Sequence, residues 1–241
     1  MSFDPHQIDL FDTQNAMTAA LVAFARDALA PATSDETARS LLLSGGSSPV
    51  DFYTALGQED LDWQNIELAL VDERWVDEDD DGSNAALVKR SLMAGRAAAA
   101  NFVPMKNAAA TPHQAEAEID RLYRALPAPA LCVLGMGPDK HTASWFADAA
   151  EYEIVSQADA PLMVGALSAP QSPVTGAYLQ RMTITGTMLG SSRKACLIMK
   201  GDSKIDLLQA CLNAPAADSP IGRALAIMGA NLQIFALRGD G

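Results

Sequence analysis

The sequence predicts an α/β fold in three layers, a mostly parallel sheet with helices on both faces. Two observations carry the prediction. Short, mostly apolar runs recur at Leu41-Leu42-Leu43, 66–71, 131–134, 161–167, 195–199 and 231–237, and runs of this kind suit strands buried on both faces. Between them lie segments compatible with helices, and strands alternating with helices imply a parallel sheet covered on both sides. With 241 residues and 49% hydrophobic content, the chain can bury a large core, so one domain over 1–241 is expected.

Taken in order, Met17, Leu21, Phe24 and Ala28 recur at helical spacing behind the cap residues Asp12 and Thr13, which predicts a first amphipathic helix ending near Pro31. The run 41–43 is a buried strand, broken by Ser44-Gly45-Gly46-Ser47-Ser48, and Pro49 stands where the first turn of a new helix tolerates it. Strand-like runs at 66–71 and 131–134 follow, each trailed by a polar segment. Residues 161–167 and 195–199 are further buried strands, 202–212 is helical, and 231–237 is the last strand. Segments 107–112 and 213–220, rich in small residues and proline, are surface connections. There is no internal repeat.

Composition excludes several classes. No apolar run approaches the roughly 20 residues that cross a bilayer, and residues 1–10 carry acids where a signal peptide needs basic and then apolar stretches. The expected location is the cytoplasm. Cys132, Cys196 and Cys211 cannot form a disulfide framework, and the first two sit in apolar runs as small hydrophobes. A net charge of −13 with no Lys/Arg cluster argues against nucleic acid or an anionic membrane as partner. An anionic substrate must then be held by a few local cations.

Motif spacing narrows the chemistry further. Gly135-x-Gly137-x-x-Lys140 lacks the third glycine of the dinucleotide fingerprint, and neither glycine turn carries the Gly-Lys-Ser/Thr of a P-loop. No His-Glu-x-x-His or paired-cysteine motif offers a zinc site. Asp77, Asp79, Asp81 and Gly82 imitate the start of a calcium loop, but its twelfth position is Val88, where a bidentate glutamate is required. The acidic run is read as a solvated loop.

Three polar segments follow three predicted strands: Ser44 to Ser48, Asp72-Glu73-Arg74, and Gly135-Met136-Gly137-Pro138-Asp139-Lys140-His141. In a parallel sheet they converge at the carboxyl edge, where such folds bind ligands. Gly45, Gly46, Ser47 and Ser48 form a turn that offers backbone N–H groups to a phosphate, although a serine-capped turn also simply starts a helix. Arg74 can hold a planar anion, or it can form a structural ion pair with its acidic neighbours. Among three histidines only His141 follows a glycine turn at a strand end, which favours it for proton transfer near neutrality.

The chain resembles the 6-phosphogluconolactonase family, part of a larger group that includes glucosamine-6-phosphate deaminases. The matching residues are Ser44-Gly45-Gly46-Ser47-Ser48-Pro49, Val71-Asp72-Glu73-Arg74-Trp75, Gly135-Met136-Gly137-Pro138-Asp139, His141-Thr142-Ala143-Ser144, Arg181-Met182-Thr183 and 201–204. The resemblance implies a Rossmann-like sheet of the kind shared with ribose-5-phosphate isomerase and CoA transferases. It also implies hydrolysis of 6-phospho-D-glucono-1,5-lactone in the pentose phosphate pathway without metal or organic cofactor, by a monomer or homodimer. His141 then looks like the general base, with Asp139 or Asp72 to orient it. Arg74 and the Ser44 to Ser48 turn look like the phosphate cradle. Arg181 and Lys204 look like second cations, and Gly135 and Gly137 like the turn that shapes the substrate site.

Two departures from the family stand out: Lys140 replaces the glycine before the histidine, and Trp145-Phe146-Ala147 replaces Leu-Phe-Pro. If position 140 needs a positive φ, lysine there costs on the order of 1 kcal/mol. Its ammonium then either points to the substrate or extends into solvent. A deaminase of the group continues its histidine segment as Ile-Ala-Phe-Asn-Glu, whereas this chain has Thr142-Ala143-Ser144-Trp145-Phe146. A sugar-phosphate sensor with a DNA-binding module is disfavoured, because the first helix begins within the first twenty residues and the charge is strongly negative.

Overall fold

A computed structural model describes residues 8–33 and 37–239; His6 lies outside them. In chain order the main elements are β1 (Ile8–Phe11), α1 (Gln14–Leu29), β2 (Arg39–Leu43), α2 (Val50–Leu56), β3 (Ile66–Leu70), β4 (Asp72–Arg74), α3 (Asn84–Ser91), β5 (Asn101–Phe102) and α4 (Pro112–Arg124). There follow β6 (Pro129–Gly135), α5 (Tyr152–Val155), β7 (Val164–Ser168), β8 (Gln180–Ile184), α6 (Gly186–Gly190), β9 (Lys194–Lys200), α7 (Asp202–Leu212), α8 (Pro220–Met228) and β10 (Leu232–Leu237). Seven strands form one sheet in the order β1-β10-β9-β6-β2-β3-β5, parallel throughout and flanked by helices.

The local signals act as expected. Thr13 caps α1 by accepting the Ala16 N–H, and Met17, Leu21, Ala25, Ala28 and Leu29 line its buried face. Phe24 is only half-buried, its ring 5.4 Å from that of Phe235. Ser83, Thr111 and Ser219 cap α3, α4 and α8 in the same way, with Pro112 and Pro220 in the first turns. The strands β2, β6, β9 and β10 are buried almost end to end, which is why their sequences show apolar runs rather than alternation. Among the described residues no helix is long and apolar enough to cross a membrane.

Two expected segments take a different form. Residues 161–167 were expected as a buried strand in the run of helices and strands, but the strand starts at Val164 and belongs to a second, three-stranded antiparallel sheet, β4-β8-β7. Proline at 161 lacks a ladder N–H, and side chains bind the residues after it: Asp120 accepts the Met163 N–H and Thr185 donates to the Leu162 carbonyl. Asp72-Glu73-Arg74 is likewise a strand, β4, rather than a loop at a sheet edge, and it pairs with β8 in the register Asp72↔Thr183, Glu73↔Met182, Arg74↔Arg181. Val71 joins the sheets, donating its N–H to Leu43 of the large one and accepting from Ile184 of the small one.

Candidate active site

Parallel pairing brings the carboxyl ends of β2, β3, β6 and β9 to one edge, and the small sheet closes over it. Between them lies a cleft of about 460 Å³ lined by Ser44 to Ser48, Asp72, Arg74, Gly135, Gly137, His141, Arg181 and Lys204 among others. Residues from five sequence-distant segments thus meet. Asp139 and Lys140 are not among the lining residues; Asp139 reaches the cleft only through His141.

The first wall is the turn after β2. Gly46 has φ +84°, a left-handed conformation that favours glycine. Gly45 is needed for a different reason: a Cβ there would fall 1.9 Å from the Asn84 Oδ1. The Ser44 hydroxyl oxygen is buried, lines the cleft and has no hydrogen-bond partner among the described residues, while its carbonyl accepts the Tyr53 hydroxyl at 2.9 Å.

The second wall is the turn after β6. Gly137 donates its N–H to the His141 carbonyl and accepts the Lys140 N–H, closing a loop of five residues. A Cβ at Gly137 would sit 2.2 Å from the imidazole Cε1 and Nδ1, so only glycine lets the ring fold back over the turn. By contrast, a Cβ at Gly135 meets nothing within 4 Å, and this glycine borders the open cleft. Lys140 takes φ +68° and Ala143 φ +47°, so the position where the lysine replaces a family glycine is left-handed. The Ile221 N–H, in the first turn of α8, holds the Lys140 carbonyl at 3.2 Å.

His141 Nδ1 lies 2.5 Å from Asp139 Oδ1. Facing a carboxylate, Nδ1 carries the proton, which leaves Nε2 as the basic nitrogen. Burial works to raise the Asp139 pKa, but the hydrogen bond and charge of His141 outweigh it and hold the carboxyl below its ordinary range. Asp72, the other carboxylate considered for this task, does not contact His141. It accepts the Ser144 hydroxyl at 2.6 Å and the Asn84 amide at 3.2 Å, and lies 3.8 Å from Arg181 Nη1.

The third wall carries cations. Arg74 and Arg181 are directly opposed across β4 and β8. Burial pulls the Arg181 guanidinium down to about 10, against the attraction of Asp72 and helped by repulsion from Arg74; it remains a cation at neutral pH. Arg74 donates from Nη1 to the Gly82 carbonyl, and its Nε is buried with no partner among the described residues. The ion-pair alternative for Asp-Glu-Arg does not hold: Glu73 accepts the backbone N–H groups of Arg74, Asn84 and Ala85 and so anchors the start of α3. Burial pushes its pKa up to about 7 despite those donors. Phe146 separates the two halves, its ring 4.6 Å from that of His141 and 5.7 Å from Arg181 Cζ.

Sequence reasoning did not single out Asn84, Ser144 or Val174. Asn84 fixes Asp72 and packs on Gly45; Ser144 ties Asp72 to the histidine segment; Val174 is an exposed hydrophobe on the cleft rim. Ser144 stood within a matched motif, but nothing local marks Asn84, whose role depends on Glu73 bringing α3 against β4.

Fold and cleft define an α/β protein with a histidine–aspartate pair facing two buried-edge guanidinium groups, a class suited to acid–base chemistry on an anionic small molecule. The chain belongs to the glucosamine-6-phosphate isomerase/6-phosphogluconolactonase family, whose model matches residues 12–231. A 6-phosphogluconolactonase from Rhizobium meliloti is 35% identical over 228 residues, 94% of this chain and 96% of that one. One from Pseudomonas aeruginosa is 38% identical over 173 residues, 71% of each. The crystal structure of a 6-phosphogluconolactonase from Shewanella baltica superposes with a TM-score of 0.83 at 30% identity, covering 95% of this chain and 97% of that one.

Proposed function

We propose that the protein hydrolyses 6-phospho-D-glucono-1,5-lactone to 6-phosphogluconate, in the cytoplasm and as a step of the pentose phosphate pathway. The observation that carries this reading, beyond family membership, is that His141, backed by Asp139, lines one cleft with the Arg74–Arg181 pair. Arg74, with Arg181, Lys204 and the turn at Gly45, Gly46, Ser47 and Ser48, holds the phosphate. His141 Nε2 removes a proton from water as the oxygen attacks the lactone carbonyl. The imidazolium then gives that proton to the ring oxygen as the acyl–oxygen bond breaks, so one histidine serves both steps. Asp139 keeps the tautomer and stabilises the imidazolium.

Purified protein should accelerate acid release from freshly generated phosphorylated lactone in a pH-stat. Arg74→Ala should raise KM about ten- to a hundredfold with a smaller change in kcat, since a charge-assisted phosphate contact is worth about 1.5 to 3 kcal/mol. Release of ammonia from glucosamine 6-phosphate, with no lactone hydrolysis, would reject this reading in favour of a deaminase.

A further inference from the structure

The acidic run after Arg74 is not only a solvated loop. Asp80 Oδ1 accepts the Tyr178 hydroxyl at 2.9 Å and the Gly82 N–H at 2.7 Å. This joins the acidic loop to the connection between β7 and β8, across 98 residues of sequence. Gly82 in turn supplies the carbonyl that binds Arg74 Nη1. A Cβ at Gly82 would lie 2.6 Å from the Tyr178 ring, so glycine is what lets the ring approach this loop. Arg74 Cζ sits 5.8 Å from the centroid of the same ring, within cation–π range. The Tyr178 carbonyl accepts the Arg181 Nε at 2.6 Å.

One residue thus touches both guanidinium groups of the cleft. The arrangement addresses a physical problem set by the strand register. Arg74 and Arg181 are direct cross-strand neighbours, and like charges so placed repel. Arg181 is held by Asp72 and by the Tyr178 carbonyl, whereas among the described residues Arg74 has a single side-chain hydrogen bond, to a loop carbonyl. Left with that alone, its flexible stem would swing away from Arg181 towards the acidic residues outside.

We propose that Tyr178, clamped to Asp80, is a positioning residue that holds Arg74 in its substrate-facing pose. The proposal rests on the reading that Arg74 binds the substrate phosphate. Tyr178→Leu removes ring and hydroxyl, and should raise both KM for the phosphorylated lactone and the inhibition constant of inorganic phosphate about five- to tenfold, with kcat within about twofold. Tyr178→Phe keeps the ring and loses only the clamp, so an increase of about twofold is expected. It also keeps the test available if the leucine variant folds poorly, which circular dichroism would reveal. Placed on Arg74→Ala, Tyr178→Leu should add less than about twofold, because the group it positions is gone. Unchanged KM and phosphate inhibition in both Tyr178 variants, with a raised KM in Arg74→Ala, would overturn the clamp alone, as would full additivity in the double variant. An unchanged KM in Arg74→Ala would overturn the phosphate reading and the clamp with it.

Discussion

The two halves of the cleft are built by opposite means. The histidine half is one stretch, residues 135–143, whose shape comes from backbone: a glycine turn closed by Gly137 and His141, two non-glycine residues at positive φ, and two bonds from His141 to the Asp139 carboxylate within three residues of sequence. The cation half is assembled from β4, the acidic loop, α3, Ser144, Tyr178 and β8, and is held by buried and part-buried side-chain bonds between them. A backbone-built site keeps a catalytic group aimed whatever its neighbours do. A network-built site lets charges of like sign stand side by side, because each is tied to partners on its own side, Gly82 for Arg74 and Asp72 for Arg181, with Tyr178 touching both. Substitutions should therefore separate the halves cleanly, the first half failing in kcat and the second in KM.

The largest effect belongs to the histidine. His141→Ala should lower kcat by about 10²- to 10⁴-fold, the range of a lost general base, while KM changes little because Arg74 and Arg181 stay in place. Stopped assays at saturating lactone, corrected for spontaneous hydrolysis, measure this; turnover near the parent value would remove His141 from the mechanism.

Asp139→Asn comes next. Without the carboxylate the imidazole loses its tautomer control and its counter-charge, so kcat should fall by about ten- to a hundredfold with KM again nearly constant. The same pair has a pH signature. Because the folded Asp139 pKa is depressed, its stabilisation is present above the unfolded value of about 3.9 and is lost as pH falls through the lower folded value. Denaturant unfolding of parent and variant should therefore differ at pH 7 and converge in strong acid. A gap that stays constant with pH would mean that the variant's cost is steric.

This contrast also governs what the sequence could reveal. The histidine half was legible because its signals are local: Gly137 is dictated by the ring that folds over it, and the left-handed position 140 was foreseeable from the lysine found where relatives of this type have glycine. The large sheet was legible from the mostly apolar runs in β2, β6, β9 and β10. The small sheet was not, because Asp72-Glu73-Arg74 has no strand-like composition; it pairs only because β8 lies alongside, and Glu73 is buried where α3 supplies two N–H donors and Arg74 a third. Asp72 could be named as a site residue but not assigned, since its partners Asn84, Ser144 and Arg181 are 12, 72 and 109 positions away. Tyr178 and Asp80 escaped for the same reason: a bond across 98 residues leaves no periodic trace.

The smallest effect tests the strained residue itself. Lys140 pays for its left-handed backbone with on the order of 1 kcal/mol, and its carbonyl is pinned by Ile221 while its side chain does not line the cleft. Lys140→Gly removes the strain but gives the unfolded chain more freedom, so the net gain should be about 0.5 kcal/mol, a rise of one or two degrees in Tm for a chain of this size. If the turn alone fixes His141, kcat should stay at the parent value, since the bond from Gly137 to His141 is untouched. A KM that rises severalfold without loss of stability would instead give the ammonium a part in holding the phosphate, and would make the histidine half depend on a side chain after all.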